Sequence, residues 1–222
     1  NALGANTTGS YNTAFGGGAL DAVTTSSNNT AIGFSSLSTN TGADNTAVGY
    51  KALTANTSGT SLVAVGALAL DANTTGSSNV AIGRNSLGVN TTGATNTAVG
   101  DKTLAANTTA ADNTAVGYQA LEANTTGATN VAVGAYALDA NTTASDNTAI
   151  GYGALSANTT GTRNTAVGRS ALDAITTADD NTGVGHGALG VNTSGTGNVA
   201  VGGYVLDANT TGSITLVLEW QF

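Results

Sequence analysis

The chain has 222 residues and a mass of 21.3 kDa, with a formal net charge of −8, only 8% charged residues and 5% aromatic ones. Alanine, threonine, glycine and asparagine together supply 136 residues, while cysteine, methionine and proline are absent. These figures exclude a disulfide scaffold and thiolate metal sites, a helical membrane span of ~20 apolar residues, and a basic surface for nucleic acid or anionic lipid.

In chain order, residues 1–9 are the second half of a unit that reads N-T-A-V-G-x-x-A-L-x-A-N-T-T-G-x-x. No initiator methionine or leader stands at Asn1, as expected of a processed product or an excised fragment. The fifth position of the unit is glycine at Gly16, Gly33, Gly49, Gly66 and onward to Gly202, always 17 residues apart except for one interval of 16. That exception comes from a deletion within residues 38–42. A leucine follows four residues after each glycine, from Leu20 to Leu206, and Val, Ile or Phe always precedes the glycine. Asparagine opens each unit except at Leu62. We read residues 1–212 as one β-solenoid repeat domain with no linker, and residues 213–222 as a C-terminal capping or docking strand.

Seventeen residues are too few for two helices and their turns, and Thr, Val, Asn and Gly are weak helix formers. Thr-Ala-Val before the glycine reads as a short strand, with glycine permitting the corner backbone. Ala-Leu-x-Ala-Asn-Thr-Thr reads as a second strand. The expected fold is therefore all-β, a parallel β-solenoid (β-roll) of about twelve 17-residue coils, roughly 58 Å long at the strand spacing of stacked sheets. Identical positions then lie over one another, and asparagine amides bond along the axis as in cross-β stacks. Each coil offers one Val or Ile and one Leu, worth ~1.5–3 kcal/mol apiece when buried, against roughly 17–34 kcal/mol of backbone entropy. So thin a core predicts that one apolar column fills the coil and the other packs against further copies of the chain.

At Ser78-Asn79-Val80-Ala81-Ile82-Gly83 and Gly197-Asn198-Val199-Ala200-Val201-Gly202 the unit resembles the head repeats of trimeric autotransporter adhesins (YadA-like heads). The longer unit Asn113-Thr114-Ala115-Val116-Gly117-Tyr118-Gln119-Ala120-Leu121 is similar to repeats of bacteriophage-type tail fibres. The resemblance runs over nearly the whole chain. It implies a left-handed parallel β-roll, a homotrimer, and an extracellular place on a cell surface or virion fibre. The 17-residue period departs from the shorter adhesin unit, and residues 213–222 do not read as the coiled-coil stalk or membrane anchor that the resemblance would lead one to expect.

The two positions after each corner glycine vary most and are expected to project outward. They hold Phe34, Tyr50, Lys51, Arg84, Lys102, Tyr118, Gln119, Tyr136, Tyr152, Arg169, His186 and Tyr204. Tyrosine interleaved with basic residues suits recognition of a host-surface glycan or protein, while tolerated loop variation is the plainer reading. A second column, Asp21, Asp71, Glu122, Asp139, Asp173 and Asp207, is interrupted by Ser38, Thr54, Gly88, Ala105, Ser156 and Gly190. It lacks the nonapeptide signature of calcium-binding β-rolls and reads as solvated charge. Past the last unit, Ile214, Leu216, Leu218, Trp220 and Phe222 alternate onto one face, as in a strand that caps the last coil or docks a second subunit.

Nothing in the chain suggests catalysis, a cofactor or a metal. His186 is the only histidine, so a serine nucleophile has one possible base. The string Gly185-x-Gly187-x-x-Gly190 lies in repeat register without the strand and long helix of a dinucleotide site. Recurrent Asn-x-Thr sequons read as a structural ladder, since glycans on every coil would collide. Three non-enzymatic functions compete. The first is a structural, adhesive fibre. The second is a self-polymerising extracellular filament joined through the C-terminal strand. The third is an ice-binding solenoid using columns such as Thr74 and Thr75, Thr91 and Thr92, Thr108 and Thr109.

Overall fold

A computed structural model describes residues 1–218, and the chain divides into two compact units, 1–112 and 113–222, at the boundary between one repeat and the next. Each unit is a parallel β-solenoid. Together they make about twelve turns of 17 residues, with no helix among the described residues.

The first unit contains β1 (Thr13–Phe15), β2 (Thr30–Ile32), β3 (Thr46–Val48), β4 (Val63–Val65), β5 (Val80–Ile82) and β6 (Thr97–Val99). Each pairs in parallel with the next, like over like: Thr30 on Thr46, Ala31 on Ala47, Ile32 on Val48. The second unit contains β7 (Thr114–Val116), β8 (Val131–Val133), β9 (Thr148–Ile150), β10 (Thr165–Val167), β11 (Thr182–Val184), β12 (Val199–Val201) and β13 (Leu216–Leu218), paired in the same way. The alternation of a strand turns Ala31, Ala47 and Ala132 fully inward, while the flanking Thr or Val and Val or Ile stay partly exposed.

The corner glycine follows from the stacking itself. Gly66 has φ 137°, and a Cβ there would lie 2.6 Å from the carbonyl oxygen of Gly83 on the next coil. Only a residue without a side chain lets two backbones approach so closely.

The second strand expected over Ala-Leu-x-Ala-Asn-Thr-Thr does not form; that segment is a run of tight turns. The N–H of Ala120 donates to the Gly117 carbonyl at 3.4 Å, that of Glu122 to Gln119 at 3.3 Å and that of Asn124 to Leu121 at 3.2 Å. The leucines of the column adopt the left-handed region, with φ 53° at Leu53, 52° at Leu121 and 55° at Leu172. This conformation costs an L-residue roughly 1–2 kcal/mol. Full burial of the Leu121 side chain and the bond from its N–H to the Ala137 carbonyl at 3.0 Å offset that cost. Leucine and alanine thus fill the coil, and the Val/Ile column is the one left facing outward.

Two asparagine ladders complete the interior. At the opening position, Asn79 Oδ1 accepts the backbone N–H of Asn96 at 2.9 Å, and Asn96 Nδ2 donates to the Ala110 carbonyl at 2.8 Å. At the twelfth position, Asn73 Nδ2 donates both to Asn56 Oδ1 at 2.8 Å and to the Gly76 carbonyl at 3.0 Å. The fully buried amides Asn56, Asn73, Asn79 and Asn96 therefore have partners along the stack, as buried polar groups require.

The C-terminal strand joins the stack as one more rung. Val217 lies over Ala200, and Leu216 and Leu218 face outward above Val199 and Val201. Ile214 departs from the expected alternation: it precedes β13, has φ 55° and is exposed. Trp220 and Phe222 lie outside the described residues.

Candidate functional site

The corner after each glycine is a turn whose second residue is left-handed, as at Lys51 (φ 54°), Lys102 (φ 56°), Gln119 (φ 56°), Tyr136 (φ 60°) and Tyr204 (φ 58°). That geometry sends the first corner side chain into solvent, so Phe34, Tyr50, Tyr118, Tyr152 and, from a second position, Tyr204 are exposed.

Within the first unit the sequence-predicted residues form two small groups. Phe34 and Tyr50 stack nearly parallel, with centroids 6.0 Å apart and planes at 13°, and Lys51 Nζ lies 5.5 Å from the Tyr50 centroid. Arg84 pairs with Asp101 on the next coil at 3.0 Å, and Lys102 occupies that same corner.

The second unit gathers the larger cluster. Tyr136 meets Tyr118 on one side at 5.4 Å and 81°, and Tyr152 on the other at 5.7 Å and 76°. Arg169 Cζ stands 5.7 Å from the Tyr152 centroid, and His186 packs on Tyr204 at 4.7 Å. Edge-to-face contacts of this kind are the favoured arrangement of aromatic pairs. Desolvation raises the Tyr136 phenol above its ordinary value, and the nearby Tyr118, Tyr152, Asp139 and Glu122 add to the effect.

The acidic column leans on the coils rather than standing free of them. Burial raises the carboxyls of Asp71, Asp139 and Asp173 from their ordinary value, opposed at each by a hydrogen bond from its own backbone N–H and at Asp173 first by one from the Ser170 side chain. Glu122 raises Asp139 further, and Gln119 donates to Glu122. Among the described residues no three His, Asp or Glu side chains are grouped to hold a metal ion.

The paired threonines of the bend divide by role. The first of each pair is tied into the stack: Thr74 Oγ1 donates to the Thr91 carbonyl at 3.0 Å, Thr91 to Thr108 at 3.1 Å and Thr142 to Thr159 at 3.1 Å. In these coils the second, as in Thr75, Thr92 and Thr109, is the exposed one, whereas at Thr24–Thr25 and Thr176–Thr177 both are exposed. The strand threonines Thr30, Thr46, Thr148 and Thr165 instead lie half-buried on the outer face of their strands, each over the like position of the next coil.

A further pattern escapes a reading by single repeats. Asp112, Asp146 and Asp180 fall in every second coil and accept from Thr95, Thr129 and Arg163 respectively. The signal was a spacing of two periods, hidden beneath the stronger one-coil beat. Tyr118 and Tyr152 share that double spacing, with Tyr136 between them on the neighbouring corner position.

No protein family, curated protein or solved structure matches the chain.

Proposed function

We propose that this chain is a non-enzymatic structural and adhesive module of an extracellular fibre, carried on a cell surface or a virion, and that it works as a homo-oligomer, specifically a trimer. The observation that carries the reading is the outer face of the strands. In each unit it is a two-column ribbon, mostly Thr or Val beside Val or Ile, as at Val80 and Ile82 or Val131 and Val133, with Phe15 on β1 and Leu216 and Leu218 on β13 as the exceptions, and no described strand carries a charged residue. Among the described residues, the charges of this acidic chain are confined to the corners and bends. A neutral, half-apolar ribbon with a fixed rung spacing is self-complementary to a second copy, which brings the same spacing and no opposing charge. Corner aromatics and cations are then left outward for a host-surface glycan or protein.

Sedimentation equilibrium of the full chain tests the assembly, with a mass near three chains expected. The double variant Val80→Lys with Val131→Lys should sediment as a monomer while its far-ultraviolet circular dichroism is unchanged. A wild-type monomer overturns the reading.

One second reading has its own support. Half-exposed strand threonines, set beside methyl-bearing Val and Ile at a regular rung spacing, also suit an ice surface. Thermal hysteresis in a monomeric wild-type sample would favour this over the fibre, and its absence would remove it.

A further inference from the structure

We propose that the corner file Tyr118–Tyr136–Tyr152 is a binding subsite for a neutral, extended β-linked polysaccharide lying along the solenoid axis. The inference rests on the adhesive reading above and gives its recognition face a ligand class.

Three features of the second unit carry it. Tyr118 and Tyr152 remain 44% and 54% exposed, so the rings on either side of Tyr136 are accessible to a ligand from solvent. Tyr136 braces both rings edge-to-face, at 5.4 and 5.7 Å, so the platform is ordered before any ligand arrives. The two outer rings stand two coils apart, which is about 9.6 Å at the spacing of stacked strands. That step is close to the advance of one disaccharide in an extended β-1,4-linked chain, so successive sugars in equivalent orientation fall on equivalent rings.

Chemistry narrows the class further. Axial C–H groups of a pyranose are weakly positive and suit the negative face of a tyrosine ring. The amide of Gln119 and the carboxylates of Glu122 and Asp139 flank the file as hydrogen-bonding groups for ring hydroxyls, and Arg169 closes its far end. Two carboxylates beside the rings disfavour an acidic polysaccharide through like-charge repulsion. The parallel Phe34–Tyr50 pair in the first unit lacks the braced third ring and serves as an internal control.

Isothermal titration of the full chain with cellohexaose tests the proposal, with maltohexaose, whose α-linked chain curves, as the comparison. Wild type should bind cellohexaose at least tenfold more tightly than maltohexaose. Tyr118→Ala and Tyr152→Ala should each weaken binding tenfold or more, Tyr118→Trp should retain it, and Tyr50→Ala should match wild type. Circular dichroism and sedimentation on the same samples verify that each variant keeps its fold and assembly. An oligomer that ignores cellohexaose at millimolar concentration, or binds it equally after Tyr118→Ala and Tyr152→Ala, overturns the subsite and leaves the fibre reading intact. A monomer that binds cellohexaose through these tyrosines sinks the assembly instead and leaves the subsite standing.

Discussion

Asn158 accepts no hydrogen bond at its buried Oδ1, because the residue seventeen positions on is Ile175. One coil earlier the same atom of Asn141 accepts from Asn158 Nδ2 at 3.1 Å. The other interruption of this ladder has the same consequence: Val23 follows Asn6, and Asn6 Oδ1 is likewise buried without a partner. A buried unmet acceptor costs about 1–3 kcal/mol, similar to the ~1.5–3 kcal/mol from burying an Ile side chain. Ile175→Asn is therefore expected to leave stability within about 1 kcal/mol of wild type, since a polar residue enters the core with its partners already in place. Asn141→Leu, which breaks the ladder on both sides, is expected to cost about 2–4 kcal/mol. Thermal unfolding followed by circular dichroism separates the two outcomes.

Glycine is required at the corner and optional beside it. Gly66→Ala would force a Cβ against the Gly83 carbonyl at φ 137°, with an expected loss of about 2–4 kcal/mol from strain and displaced stacking. Gly203 has open space around its would-be Cβ, so Gly203→Ala should stay within about 0.5 kcal/mol of wild type. Denaturant midpoints of the two variants provide the comparison.

The carboxyl of Asp139 is raised by burial first and by Glu122 after it. A carboxyl raised on folding binds its proton more tightly in the native state, so it destabilises the fold when ionised, and the penalty fades as pH falls through the raised value toward 3.8. Asp139→Asn should accordingly increase the urea midpoint at pH 7, and the difference from wild type should vanish below pH ~3.8. Asp180 behaves in the opposite sense. The hydrogen bond from Arg163 lowers its carboxyl, so its contribution is present above the usual carboxylate range and disappears as pH falls through the lowered value. Asp180→Asn should lower the midpoint at pH 7.

Arg163 separates two acids in its column, bonding Asp180 through Nε at 2.6 Å while also feeling Asp146. Arg163→Asp would place three carboxylates on successive coils. The expected result is a lower melting temperature in dilute buffer that recovers substantially in molar salt, where the screening length falls to about 3 Å.

Much of this architecture was legible because the chain repeats its chemistry along with its spacing. The beat from Gly49 to Leu53, and again from Gly66 to Leu70, fixed the rung length, and Asn56 over Asn73 is the amide ladder that stacked asparagines imply. The turn around Leu121 was not legible: leucine in the left-handed region runs against local preference, and only the stacked neighbours on either side make it affordable. The role of Thr74 was hidden for a related reason, since a hydroxyl spent on the next coil's carbonyl looks the same in sequence as one facing water. At the candidate site, Tyr118 and Tyr136 were identified as outward corner residues, but their edge-to-face contact depends on alternate use of the two corner positions. The exposed Val/Ile column followed from the poverty of the core, because a coil this narrow is already filled by Ala115, Ala120 and Leu121 with the amides of Asn113 and Asn124.

The short coil at residues 29–44 carries one more implication. Deletion of the second threonine there leaves the amide ladder continuous, with Asn56 Nδ2 on Asn40 Oδ1 at 2.7 Å and Asn40 turning to the Gly42 carbonyl at 2.7 Å. The bend at that position is thus a tolerant seam in an otherwise rigidly specified module. Foreign peptides spliced between Thr91 and Gly93, or at the equivalent point of any other coil, would be displayed at regular intervals without unpicking the fold beneath them.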